Sequence, residues 1–202
     1  MWPYLLLLFF GEGLVSDAAH HTVSFPATVY PSHFNQGDGT ADHHLMVYRG
    51  GRAARAALVQ AEVADRDILR ALEALGGVPG DNLTAASWLR RHDPESTDPD
   101  LHVEGTPVTV TLQLPDGTER PLESLLVDEG GAGFSFRLGG HARLIPLWRS
   151  GCVVCLQSCP GGRISNDRYT MRDLAKGRCR FRVREDVPPD GTKVTVIVKL
   201  LL

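Results

Sequence analysis

The chain of 202 residues carries 24 acidic side chains against 21 lysines and arginines, which leaves a formal net charge of −3. With 43% hydrophobic and 22% charged residues it can bury a core, so wholesale disorder is excluded. Its 21 glycines and 13 prolines indicate many turns and short elements, and they argue against a coiled coil or a bundle of long helices.

The N-terminal segment has the pattern of an export signal. The apolar run from Leu5 to Phe10 is too short to cross a bilayer, which needs about 20 residues, so no transmembrane anchor is expected. The small residues Ser16-Asp17-Ala18 are typical of a cleavage site. We predict a signal peptide over residues 1–18, a domain over residues 19–202 and export to the periplasm or the extracellular space. A buried first strand is the alternative, because no Lys or Arg precedes the apolar run.

Two strands are predicted next. The segment from Thr22 to Tyr30 alternates apolar and polar residues, the period of a half-buried strand. Pro26 removes one ladder donor and therefore predicts an edge strand or a bulge. A short strand from Leu45 to Tyr48 follows and ends at Gly50-Gly51.

The clearest helix is predicted over residues 65–76. A strand over 55–63 precedes it, and Asp65 is a suitable N-cap. The apolar side chains then recur at helical spacing until Gly76-Gly77 ends the helix.

The second half predicts further strands. A polar, proline-interrupted loop covers 90–105, and the alternating strand from Thr106 to Leu114 ends in the turn Pro115-Asp116-Gly117. The remaining predictions are a helical turn over 121–126, a strand over 134–138, and a closing hairpin of 180–184 with 193–202. We therefore expect a strand-rich α+β domain with one main helix and a cysteine-bearing C-terminal segment at 149–180.

Two segments and their order resemble the YdjY-type domain family of mostly exported bacterial proteins. They are ARAALVQAEVADRDILRALEALGGVPG from Ala54 to Gly80 and TPVTVTLQLPDGTERPLESLL from Thr106 to Leu126. The resemblance implies an exported, compact α+β domain, described in some members as ferredoxin-like because of their cysteines. It implies no substrate and no catalytic residues.

All four cysteines lie in the last quarter of the chain: Cys152, Cys155, Cys159 and Cys179. The spacing C-x2-C-x3-C-P matches the last part of a ferredoxin run, with Arg149 where its first cysteine would stand. An iron-sulfur cluster would then need Cys179 as its fourth thiolate. A structural zinc ion also suits four thiolates, although a zinc ribbon would bring a second C-x2-C pair.

Structural disulfides are the competing interpretation, because oxidising compartments retain them. In that case no cofactor is expected, and four cysteines allow three pairings. A redox-active dithiol is disfavoured, since no helix opens after the C-x2-C pair. Arg149, Arg163 and Arg168 lie close in sequence, and their positive charge would favour thiolates.

The histidines are weaker candidates for a metal site. His43 and His44 are adjacent, and neighbours in a strand point to opposite faces, so the pair would donate at most one ligand to a common site. His20, His21 and His33 are the other candidates. Nucleotide-binding and hydrolase motifs are not found, and the pI of about 6.2 argues against nucleic-acid binding.

These patterns predict an exported, non-catalytic accessory or electron-transfer protein, with a metal or iron-sulfur centre held by the four cysteines. A disulfide-stabilised interaction domain is the alternative. Either would act with an unidentified protein partner.

Overall fold

The computed structural model describes residues 7–9, 13–34, 43–141 and 143–202. The strands are β1 (Leu7–Phe9), β2 (Val15–Asp17), β3 (Thr22–Val29), β4 (His44–Tyr48), β5 (Val59–Ala61), β6 (Pro107–Gln113), β7 (Glu119–Pro121), β8 (Leu126–Asp128), β9 (Phe136–Leu138), β10 (Cys152–Cys155), β11 (Ile164–Asn166), β12 (Phe181–Val183) and β13 (Thr192–Leu200). The helices are α1 (Asp65–Ala74), α2 (Ala85–Leu89), α3 (Ile145–Trp148) and α4 (Met171–Ala175), and there are 3-10 turns at Pro31–His33, Ala54–Ala56 and Leu122–Leu125.

Eight strands close into a barrel in the order β3, β13, β6, β9, β11, β10, β4 and β5. The barrel closes where β5 pairs with β3, with Val59 opposite Val29 and Ala61 opposite Ala27. The β10–β11 and β4–β5 pairs are parallel, and the other pairs around the barrel are antiparallel. Closure leaves these eight strands without a free sheet edge.

The predicted α+β class is wrong, because the chain forms a closed eight-stranded β-barrel with only about 18% helix. The predicted main helix exists as α1, which packs against β3 and β10. Its N-cap is Ala64, whereas Asp65 is the first helical residue and uses its carboxylate in an ion pair. Alternation along each strand indicates which face is buried, but it does not indicate that β5 returns to β3.

Side chains of the long strands fill the core. The strands β3, β6 and β13 lie side by side, and each buries alternate residues as the period-2 pattern predicts. An eight-stranded barrel has an interior just wide enough to be filled by side chains. The buried residues of these strands include Val23, Phe25, Val110, Leu112, Val196 and Val198.

Pro26 lies inside the sheet and not at its edge. Along one side of β3 the neighbouring strand changes. It is β2 up to Ser24, which pairs with Val15, and β5 from Ala27 onward, which pairs with Ala61. The Pro26 carbonyl accepts a hydrogen bond from the Glu62 N–H at 3.0 Å on that side. The backbone nitrogen and carbonyl of one strand residue face the same neighbouring strand. The N–H that Pro26 lacks would therefore point to the space between β2 and β5, so its absence removes no hydrogen bond to β13.

The predicted closing hairpin is also wrong. The strand β12 pairs with β8 in a separate two-stranded sheet, whereas β13 lies between β3 and β6 in the barrel. The antiparallel partners of β13 are therefore β3, from the start of the chain, and β6, from its middle.

Part of the predicted signal peptide lies in the sheet. The strand β1 pairs with β2, which pairs with β3, and the Leu14 side chain is fully buried. Cleavage after residue 18 and export stay predictions. Among the described residues, no helix has the length and apolar character needed to span a bilayer.

Candidate functional site

An irregular pairing in β10 places two of the predicted ligands on one side. In a regular strand the side chains of residues i and i+3 point to opposite faces. Here Cys152 pairs with Val47 and Val154 with Met46, so β10 holds one residue more than β4 across the first step; across the next step, to Cys155 opposite His44, β4 holds one residue more. These two irregularities interrupt the regular alternation, and the buried side chains of Cys152 and Cys155 pack in one cluster.

A buried loop then returns the third cysteine to the same cluster. Cys159 packs with Cys152, Cys155 and Met171. The Gly161 N–H donates a weak hydrogen bond to the Cys159 Sγ at 3.4 Å. The loop is covered by Trp148, whose ring leaves no room for a Cβ at Gly161.

The fourth cysteine lies in a different part of the core. Cys179 packs in the main hydrophobic cluster, and its Sγ lies 3.8 Å from the Leu156 carbonyl oxygen. All four cysteines are free thiols in the structure. The structure thus groups three of the four predicted ligands, and the four-thiolate site stays a prediction. Within the described part of the chain, no three His, Cys, Asp or Glu side chains are already arranged to hold a metal ion.

Burial and neighbouring thiols suppress the ionisation of Cys155 and Cys159. Burial, and then the neighbouring Cys152 thiol, raises the pKa of Cys155 well above its usual range. The Cys155 thiol, and then burial, does the same to the pKa of Cys159. Both thiols are therefore neutral at pH 7, and a cation placed among them would reverse this effect.

An imidazole lies beside the thiols. His44 is opposite Cys155 in the β4–β10 pair, and its Nδ1 is 3.5 Å from the Cys152 Sγ. Burial lowers the pKa of His44, an effect that Cys159 opposes, so the ring is neutral at pH 7 and able to act as a ligand.

The expectation that His43 and His44 face apart is wrong. His43 lies just before β4, where strand alternation does not apply, and the two ring centroids are 4.0 Å apart. The earlier histidines make other contacts: His20 bonds to Asp17, and His33 stacks on Tyr30.

One arginine supplies a buried positive charge next to the cluster. The Arg163 side chain is 6% exposed and pairs through Nη2 with Asp65, while its Nε and Nη1 have no hydrogen-bond partner in the described part of the chain. Burial lowers the pKa of Arg163, and Asp65 and then Cys152 oppose that effect. The other two predicted arginines do not share this position. Arg149 is exposed, and Arg168 pairs with Asp167 at the surface.

A pocket of about 700 Å³ opens beside the cluster and reaches Cys159. Its walls combine aromatic, basic and apolar side chains. The lining consists of His43, His44, Arg52, Ala53, Ala56, Trp88, Arg91, His92, Leu147, Trp148, Ser150, Cys159, Leu174 and Ala175.

Comparison with known proteins identifies the domain. Residues 14–199 match the model of the YdjY domain, which covers the barrel and all four cysteines. The chain belongs to the YdjY domain family. It is 28% identical over 187 residues to the uncharacterized protein YdjY of Escherichia coli (strain K12), an alignment that covers 91% of this chain and 77% of that protein. No solved structure matches the chain.

Membership in the YdjY family confirms the resemblance seen in the sequence but adds no ligand or reaction. Sequence reasoning treated His44 only as a weak metal candidate and missed Trp88 and Trp148, because the roles of all three depend on neighbours remote in the chain. His44 meets Cys152 across two strands, and Trp88 meets Trp148 with ring centroids 5.3 Å apart. The one available signal was the presence of eight histidines, two of them adjacent at His43-His44.

Proposed function

We propose that this YdjY domain is an exported accessory protein that binds one thiophilic metal ion through Cys152, Cys155 and Cys159. The observation that carries the proposal is the contact of three buried thiols, with Cys155 interacting with both of the others. His44 is the candidate for the fourth ligand. Three thiolates and one imidazole are a common set around Zn²⁺, and soft thiolates also suit Cu⁺.

The charges around the cluster support this proposal. Two or three thiolates without a cation would repel one another in a buried site, whereas a metal ion neutralises most of that charge. The remaining negative charge would face Arg163, whose Nε and Nη1 are unpaired. The side-chain amide of Gln157 is buried and also has no partner among the described residues. The backbone N–H of the same residue lies near the Cys155 thiol. Unpaired polar groups of this kind are rare unless a charge or a water satisfies them.

The residues fit a single ion better than an iron-sulfur cluster. Such a cluster takes four protein ligands and a volume of its own for iron and sulfide. Cys179 packs in another cluster. Cys159 lines the pocket, whereas Cys152 and Cys155 are not among its described lining residues. Binding a single ion requires only that neighbouring thiols lose protons and turn towards one point.

A Co²⁺ titration of the reduced protein tests the proposal. Cobalt replaces zinc in thiolate sites and shows a sulfur-to-metal charge-transfer absorption. We expect one Co²⁺ per chain, displaced by Zn²⁺. Cys155→Ser should abolish the absorption, whereas Cys179→Ala, the matched buried control, should retain it. The proposal fails if the native protein shows no absorption, or if Cys179→Ala loses as much of it as Cys155→Ser.

A thiol count decides between metal binding and the disulfide alternative. Protein purified without reductant, then denatured and treated with a thiol reagent, should show four reactive cysteines after a chelator removes the metal. Two missing thiols would favour the disulfide-stabilised interaction domain. For an electron-transfer role, voltammetry of the metal-loaded protein must show a reversible wave.

Export is tested separately on the full chain with a C-terminal tag. Cell fractionation gives its compartment, and the N-terminal residue of the mature protein locates any cleavage. A leader over residues 1–18 predicts a mature protein that begins near Ala19. A mature protein that retains Leu14 would contradict that boundary.

A further inference from the structure

The pocket beside the thiol cluster is lined by basic groups. Arg52 and Arg91 stand in its wall together with His43, His44 and His92, and among the residues that the structure describes its lining contains neither Asp nor Glu. Most arginines in the described ranges pair with a carboxylate, but neither Arg52 nor Arg91 is in any of the ion pairs seen there. A concave site that carries unneutralised arginines attracts an anion.

Two indoles give the pocket flat apolar walls. The ring centroids of Trp88 and Trp148 are 5.3 Å apart, with their planes tilted by 53°. The Arg91 guanidinium lies over the Trp88 ring at 3.9 Å from its centroid. Its Nη1 also donates a hydrogen bond to the Trp88 carbonyl oxygen at 2.7 Å. Arg91 is therefore held in place before any ligand arrives, which lowers the entropy cost of binding.

An unpaired buried group provides a second, independent indication of a ligand. His43 is only 4% exposed, lines the pocket, and its Nδ1 has no hydrogen-bond partner among the residues that the structure describes. Its ring centroid is 6.5 Å from that of Trp88. Buried polar atoms are nearly always hydrogen-bonded in native proteins, so this atom is available to a bound molecule.

We infer that the pocket binds a flat, conjugated organic acid. Its carboxylate would meet Arg52 and Arg91, and its ring would lie against Trp88 and Trp148. The volume of about 700 Å³ is within the range of about 300–1,000 Å³ typical of small-molecule sites. The lining favours a flat acid over two other classes of ligand. A neutral ring would leave the arginines without a partner, and a small inorganic anion would leave the indoles uncovered. The inference does not depend on a metal in the thiol cluster.

Isothermal titration of the full chain with matched probes tests the inference. The flat acids are 2-naphthoate and indole-3-carboxylate. Naphthalene-2-methanol keeps the ring without the charge, and cyclohexanecarboxylate keeps the charge without the flat ring. We expect 1:1 binding of a flat acid, about tenfold or more tighter than of naphthalene-2-methanol, which has no charge to pair with the arginines. The flat acid should also bind more tightly than cyclohexanecarboxylate, which has no flat ring to lie against the indoles.

Variants then locate the site. Arg52→Gln and Arg91→Gln should each weaken binding of the flat acid about tenfold. Arg66→Gln is the control, because Arg66 is an exposed arginine of α1 outside the pocket. The inference is overturned if neither flat acid binds, if naphthalene-2-methanol binds equally well, or if Arg66→Gln weakens binding as much as Arg91→Gln.

The same titration with chelator-treated protein and with Cys155→Ser separates this inference from the proposed metal site. Binding of the flat acid should persist in both. Loss of binding in both would show that the ligand requires the metal centre, and the inference as stated would then be wrong.

Discussion

The ion pair between Asp65 and Arg163 is the sharpest test of the packing around the thiol cluster. Asp65 begins α1, and its side chain is 14% exposed; the Arg163 side chain is 6% exposed. Two other donors of Arg163 are already unpaired, so Asp65→Asn would remove the one carboxylate that pairs with this buried guanidinium. Breaking a buried pair by removing one partner costs about 3–5 kcal/mol.

That cost can be compared with the effect of a carboxylate in the same helical turn. Asp67 also lies in the first turn of α1, but it is 32% exposed, and its nearest ion-pair contacts are at 3.6 Å and 3.8 Å. The helix dipole stabilises both carboxylates by a similar amount, so a comparison with Asp67→Asn removes that contribution. Asp67→Asn should cost less than about 1 kcal/mol.

Chemical denaturation gives both free energies of unfolding, and thermal melting gives a second measure. In a chain of this size 1 kcal/mol shifts the Tm by about 2–4 °C, so Asp65→Asn should lower the Tm by roughly 6–20 °C. The double variant Asp65→Asn/Arg163→Met should recover much of the loss, because it leaves no buried charge unpaired. Equal effects of Asp65→Asn and Asp67→Asn, or no recovery in the double variant, would refute the reasoning.

Three further predictions address the thiols, the pocket wall and a buried tyrosine. Because Cys155 and Cys159 must lose protons whose pKa values are raised, and Cys152 is a third thiol ligand, the apparent Co²⁺ affinity should rise by at least about 100-fold per pH unit between pH 6 and 8; a pH-independent titration would contradict thiolate ligation. Gly161→Ala should displace the Trp148 ring, which near-ultraviolet circular dichroism and acrylamide quenching of tryptophan fluorescence would detect; unchanged signals would show that the ring does not lie on Gly161. Burial, aided by a bond to a carboxylate, raises the pKa of Tyr169 from 10.0 to about 12. The stability difference between the native protein and Tyr169→Phe should therefore be constant below pH 10 and decrease between pH 10 and 12, as measured by denaturation at each pH.

Local patterns determined several elements of this protein before any neighbour was known. The alternation in β3, β6 and β13 identified their buried faces, and the helical spacing after Asp65 identified α1. Both signals arise within about ten residues of chain, because the periods of 2 and 3.6 follow from backbone geometry. Family membership was also visible in the sequence and is confirmed over residues 14–199.

The tertiary structure decided which strands are neighbours. A strand pattern does not specify its partner, so the return of β5 to β3 changed an expected α+β domain into a closed barrel. For the same reason β12 pairs with β8 and not with β13. Pairings between distant segments depend on the fit of whole faces, which no single segment encodes.

The sequence also determined the chemistry of the four cysteines: thiols at C-x2-C-x3-C spacing, followed by a more distant fourth. Which thiols meet was decided by structure. The irregular pairing of β10 with β4 places Cys155 in one cluster with Cys152, and the buried loop adds Cys159, whereas Cys179 packs in the main core. His44 joins the group because β4 lies beside β10. A one-residue change in register reverses the face of a side chain, so the composition of the site depends on pairing that sequence spacing does not contain.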